Sequence, residues 1–285
     1  MFAVLAATRF AHFAAICLLF GLAAFPVYAG DQGGSALRQA RRACSLLALV
    51  SGVLVLLAMA GGMGDSWRSA FDPDILQAAI TDTEFGRVWA ARLLVAIVTV
   101  GVCRWARRDG PVLAASGLLL ASVALAGHSA IPGGPTGLIH QLADAAHLLA
   151  AGWWSGGLLA LLLVANTLGA RAPAVLHRFS QVGYVAVALI MASGVIKSII
   201  LVSPLSALWA SAYGAVLLIK VALVGGMGLL ALSNRFQITP GLAAGTDDSR
   251  WMARLRVQIA AEFALAILIL ALVGALGAMS APVSQ

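Results

Sequence analysis

Ala212–Leu232 reads AYGAVLLIKVALVGGMGLLAL, an apolar run broken by one charge, Lys220. A bilayer core of about 30 Å takes about 20 residues of helix to cross, at a rise of about 1.5 Å per residue. The run meets that length. With no water in the lipid core, it must be helical to satisfy its own backbone. Working outward, comparable runs recur along the chain: Val4–Phe25, Ala43–Gly61, Val88–Arg104, Val112–His128, Ile139–Thr167, Phe179–Leu201 and Ala253–Met279. The pattern predicts an all-α, polytopic membrane bundle of eight helices, formed as one integral membrane domain over residues 1–285. A transmembrane β-barrel would instead alternate polarity in segments of roughly 10 residues.

Composition agrees. Of the 285 residues, 61% are apolar and 10% charged, against about 45–50% and about 25% in soluble domains. A soluble enzyme, a disordered chain and a fibrous repeat are excluded. The net charge of +7 is no sign of nucleic acid, because most arginines sit in short connections. The odd connections hold Arg38, Arg41 and Arg42; Arg104, Arg107 and Arg108; Arg171 and Arg178; and Arg235, Arg250, Arg254 and Arg256. The second mixes Arg68 and Arg87 with Asp65, Asp72, Asp74, Asp82 and Glu84, and is expected to contain a short external helix. The positive-inside rule then places the odd connections in the cytoplasm and both termini outside. Val27-Tyr28-Ala29 loosely resembles a signal cleavage site, but no basic residue precedes the apolar stretch and Arg9 and His12 interrupt it. It is expected to remain as the first span. Cys17, Cys44 and Cys103 form no CxxC motif and read as small buried hydrophobes.

Ionisable groups inside spans are costly and mark function by default. Four of the five histidines fall in the outer half: His12, His128, His140 and His147. His140, Asp144 and His147 stand at i, i+4 and i+7, one helical face. The breaker-rich connection Gly127–Pro135 brings His128 toward them. Imidazoles with a carboxylate suit a borderline transition metal, copper among them, and soft thioethers such as Met63 favour Cu(I). Asp144 is either a ligand or the acceptor that orients a ring. A proton relay and haem are the other readings of the histidines, with His12 and His147 as axial ligands of a haem-b oxidoreductase. Lys220 and Glu262 lie at matching depths and are expected to pair, as a structural ion pair or a coupling element. Lys197 and Arg92 are close enough to the outer interface to snorkel, and Arg9 is expected near His12. No Walker motif and no G-x-S-x-G elbow occur, against ATP-driven pumping and a hydrolase.

These residues carry a resemblance. His147-Leu148-Leu149-Ala150-Ala151-Gly152-Trp153-Trp154-Ser155-Gly156-Gly157 is similar to the signature of the CopD copper-resistance membrane proteins. So are His177-Arg178-Phe179-Ser180, Ala192-Ser193-Gly194, Tyr213–Lys220 and Ser233-Asn234-Arg235-Phe236. The likeness is strongest over residues 147–236 and extends to Arg9-Phe10-Ala11-His12 and Gly127-His128-Ser129. It implies a non-enzymatic, multi-pass protein of the bacterial inner membrane, serving copper homeostasis and resistance. Such a protein moves copper from periplasm to cytoplasm and works with a separate CopC-like periplasmic carrier. A non-transporting sensor or scaffold for such a carrier is the alternative. The ligand candidates crowd the outer half; only Cys17, Met191 and Met227 lie deeper.

Overall fold

The computed structural model describes residues 2–30, 34–64, 66, 68–126, 135–201, 207–243 and 248–279. Among them there is no strand. The helices are α1 (Phe2–Ala29), α2 (Gly34–Met63), α3 (Pro73–Thr81), α4 (Glu84–Trp105), α5 (Asp109–Ala121), α6 (Pro135–Val164), α7 (Ala172–Leu201), α8 (Ala207–Ala210), α9 (Ala212–Ser233), α10 (Thr239–Ala243) and α11 (Asp248–Leu276). A π turn, Asn234–Ile238, joins α9 to α10.

α1 is the centre. It packs against α2, α5, α6, α7 and α11 and is the most buried of the long apolar helices, while α9 at the rim is the least. The α1–α6 contact is the tightest, because glycines face each other across it. A Cβ on Gly156 would stand 2.5 Å from the Leu18 carbonyl oxygen and 2.6 Å from Gly21 Cα; one on Gly152 would stand 3.2 Å from the Cys17 carbonyl oxygen. Small residues four apart let two membrane helices approach to backbone contact. The two glycines of the Gly152–Gly156 stretch are therefore packing residues. Cys17 meets Gly152 and Gly21 meets Gly156 at the same offset in sequence, so α1 and α6 run parallel and in register.

Parallel packing requires the chain to return between them, and α5 is the last return. Among the described residues, seven helices are long and apolar enough to span, and the fourth predicted span is described as a shorter apolar helix, Asp109–Leu125. It runs as α5 and then a 3-10 turn, Ser122–Leu125. At about 1.5 Å per residue it reaches about 25 Å, less than a full core thickness. Its buried face, with Val112, Leu119 and Leu120, packs on α1, α4 and α6.

The expected external helix is α3. Asp72 starts it, accepting from the backbone N–H of Asp74 at 3.0 Å, with Pro73 in its first turn. Thr83 then caps α4 through Gly86 N–H at 2.9 Å. Asp72, Asp74, Asp82 and Glu84 are exposed on this segment; Asp65 lies outside the described residues. At the opposite end, Arg41 ties α2 to α5 by a 2.6 Å bond to Asp109.

Candidate metal centre

The α1–α6 register places His12 level with His147, but the two rings turn to different neighbours. His12 is 3% exposed and points to α2 and α4. Its Nδ1 lies 3.0 Å from the Ala48 carbonyl oxygen and 3.3 Å from Ser51 Oγ. Ser51 Oγ in turn lies 2.6 Å from the Leu47 carbonyl, to which it donates. A carbonyl only accepts, so Nδ1 carries the proton and Nε2 the lone pair. Arg92 Nη2 donates to that lone pair at 3.1 Å. The predicted snorkelling of Arg92 is corrected: it is 4% exposed, because its guanidinium lies 4.4 Å over the Trp89 ring, and Trp89 is itself held by Gly52 O at 2.9 Å. Cation–π contact and a ring nitrogen replace part of the lost water. Trp89, three residues before Arg92 on the same face, was the signal for this. Arg9 stands one turn before His12 on α1. Its guanidinium borders Gly277, just past α11.

The second group is on α6. His140, 3% exposed, has Nδ1 3.9 Å from Asp144 Oδ2. This is the i, i+4 neighbour expected from spacing. His147 is one turn further in, and its Nδ1 lies 2.8 Å from Ser193 Oγ of α7. The Ser193 hydroxyl donates to the Leu189 carbonyl. Its single proton is thus engaged, and it faces His147 with a lone pair. The imidazole therefore carries its proton on Nδ1 and its lone pair on Nε2, the form in which a ring ligates metal. Spacing in α6 had no way to reveal Ser193, which comes from another helix.

His128 lies outside the described residues. Met63 ends α2 and is 53% exposed. Among the described residues, no three His, Cys, Asp or Glu side chains converge as a group that could hold a metal ion. His140 with Asp144 is the nearest approach to one. The axial pairing of His12 with His147 is not formed, since α2 and α4 hold one ring and α7 the other.

The third polar group is in the inner half. Glu262 of α11 is 1% exposed, and Asn234 Nδ2 donates to its carboxylate. Lys220, the partner expected from sequence depth, belongs to α9. Gln258 Nε2 reaches the Leu230 carbonyl at 2.7 Å, which fixes the α9–α11 register. Lys220 is ten residues from Leu230, about 15 Å along the helix. Glu262 and Asn234 border a cavity of about 430 Å³ between α6, α7, α9 and α11, with Trp154, Phe179 and Leu229 in its largely apolar wall. At its inner end, Arg235 meets His177.

Comparisons with known proteins place this arrangement. Residues 1–138 match the family described as copper resistance protein D-like, N-terminal domain, and residues 173–276 match copper resistance protein D. Inner membrane protein YebZ of Escherichia coli is 32% identical over 286 residues, covering 93% of this chain and 96% of YebZ. Copper resistance protein D of Pseudomonas syringae pv. tomato is 33% identical over 300 residues, covering 96% of each. Copper transport protein CutJ of Bacillus subtilis is 30% identical over 217 residues, covering 70% of this chain and 39% of CutJ. No solved structure matches. The helical bundle and these relatives make the chain a copper-related, multi-pass inner-membrane protein, and it belongs to the copper resistance protein D family.

Proposed function

We propose that the chain captures copper from the periplasm at the outer end of α6 and passes it toward the cytoplasm. The observation that carries this reading is the row His140, Asp144 and His147, with the His147 ring fixed by Ser193. An imidazole whose Nδ1–H is held by an oxygen presents Nε2 in one direction, which is how ligating histidines are oriented. Asp144 is the carboxylate that completes or steadies the group. His128, from the connection before α6, supplies a further imidazole. Met63 serves the Cu(I) state as a thioether.

His12 is a second station at the same level, on the other side of the α1 backbone. Its lone pair faces Arg92, so it takes a metal only when the guanidinium withdraws. Copper at the α6 row raises local positive charge, and a two-state transporter needs such a differential interaction to shift its population. Glu262 with Asn234 is the coupling element of the inner half: a carboxyl that accepts and releases a proton as the cavity changes access. Copper resistance protein D and copper transport protein CutJ, by their names, connect such chains with copper resistance and transport. A CopC-like carrier in the periplasm is the proposed donor, and the acidic face of α3 is its landing site.

The test is copper titration of the purified protein beside the His140→Ala/His147→Ala double variant, followed by uptake into proteoliposomes. Retained stoichiometry and affinity in the variant would sink the site. Binding without uptake would leave a sensor or scaffold.

A further inference from the structure

The arginines of the first and third connections, distant in sequence, meet in space. A pocket of about 180 Å³ opens between the start of α2 and the α4–α5 connection, lined by Arg38, Arg41, Arg42, Arg107, Arg108 and Asp109. Arg41 is buried and committed: Nε and Nη2 donate to the Leu22 carbonyl at 3.1 and 3.0 Å, and Nη1 to Asp109 at 2.6 Å. That bond engages the carboxylate of the lining. Arg42 donates to the carbonyls of Cys103 and Arg104 at 3.4 and 3.3 Å, which steadies it without neutralising it. Arg38, Arg107 and Arg108 are exposed. Among the described lining residues, five guanidinium groups stand against one carboxylate.

The backbone adds to this field. α2 begins at Gly34 and α5 at Asp109, and both residues line the pocket. The N-terminal ends of two helices therefore border it, with the positive ends of their dipoles. Every cation is arginine, whose planar fork matches phosphate oxygens two at a time. Leu37 and Val112 give the pocket an apolar side. It lies where α2 and α5 begin and α4 ends, at the arginine-rich side of the bundle, the depth of cytoplasmic-leaflet head groups.

We propose that this pocket binds the phosphate of an anionic phospholipid from the cytoplasmic leaflet, with Arg38, Arg107 and Arg108 as its forks. The lipid bridges the α2 start and the α4–α5 connection, and so braces the short α5 return. The assignment stands independently of copper transport.

To test it, the protein is purified in neutral detergent, and binding of phosphatidylglycerol, phosphatidylcholine and inorganic phosphate is followed by native mass spectrometry and thermal shift. Phosphatidylglycerol is expected to bind and raise the melting temperature, while phosphatidylcholine does neither. The Arg38→Gln/Arg107→Gln/Arg108→Gln variant is expected to weaken phosphatidylglycerol binding roughly a hundredfold at low salt, taking about 1 kcal/mol per arginine. Arg171→Gln, an exposed arginine outside the pocket, should bind as wild type does. Equal binding of the two lipids, or a triple variant that binds phosphatidylglycerol unchanged, overturns the proposal. Inorganic phosphate competing at or below the lipid's own concentration overturns it too, in favour of a soluble phosphate ligand. The substituted side chains are at the surface, and the melting temperature in neutral detergent alone reports whether the variant is folded.

Discussion

Changing Gly156 to Ala perturbs the contact on which the bundle turns. Its Cβ would stand 2.5 Å from the Leu18 carbonyl oxygen and 2.6 Å from Gly21 Cα, where carbon contacts relax at about 3.5–4.0 Å. The obstacles are backbone atoms, so no side chain can swing aside, and α1 and α6 must part by about 1 Å. Overpacking of this kind costs about 1–3 kcal/mol. Replacing glycine by alanine within a helix returns up to about 1 kcal/mol. The net expectation is a loss of about 1–2 kcal/mol, or roughly 2–8 °C in melting temperature at about 2–4 °C per kcal/mol. Gly225→Ala is the matched control. Its Cβ meets nothing within 4 Å, so it keeps the helix-propensity gain and its melting temperature should hold or rise. Thermal unfolding of both variants in one detergent reads the difference. Equal shifts, or a rise for Gly156→Ala, would refute the parallel, glycine-faced α1–α6 packing and with it the common level of His12 and His147.

Other consequences follow from single contacts. Ser193→Ala removes the partner of His147 Nδ1 and should weaken copper binding about 10–100-fold, read by competition titration, with the fold intact. Arg92→Met frees the lone pair of His12; a gain of one bound copper, lost again in the His12→Ala/Arg92→Met double variant, is expected by metal analysis. Glu262→Gln should leave copper affinity within about twofold while proteoliposome uptake falls at least tenfold, and it should abolish labelling of the α11 peptide by a hydrophobic carbodiimide. Uptake at the wild-type rate would remove Glu262 from coupling.

Much of the fold was legible because the bilayer allows few solutions. Apolar runs of about 20 residues must be helices, and residues 2–29, 34–63, 84–105, 135–164, 172–201, 212–233 and 248–276 are helical. The helix of the fourth run is shorter than these, and no apolar pattern announced that α5 stops at Ala121 and tightens into a 3-10 turn. Within the candidate site, the His140–Asp144 neighbourhood followed from helical spacing, which acts on one chain segment. Contacts between segments were beyond it. Ser193 reaches His147 from α7, Arg92 reaches His12 from α4, and Asn234 takes Glu262 through a π turn that no apolar pattern announces. The family-signature glycines carried a different message from its histidine: Gly152 and Gly156 set the approach of two helices, and His147 stands at the level that approach defines.

The central claim is that copper is held by the outer histidines of α6. X-ray absorption at the copper edge, with copper content measured on the same sample, tests it most directly. The wild-type protein is expected to bind copper through imidazole nitrogen, and His140→Ala/His147→Ala to lose both that copper and its nitrogen scattering while remaining folded. Unchanged copper content and an unchanged nitrogen shell in the double variant would contradict the account.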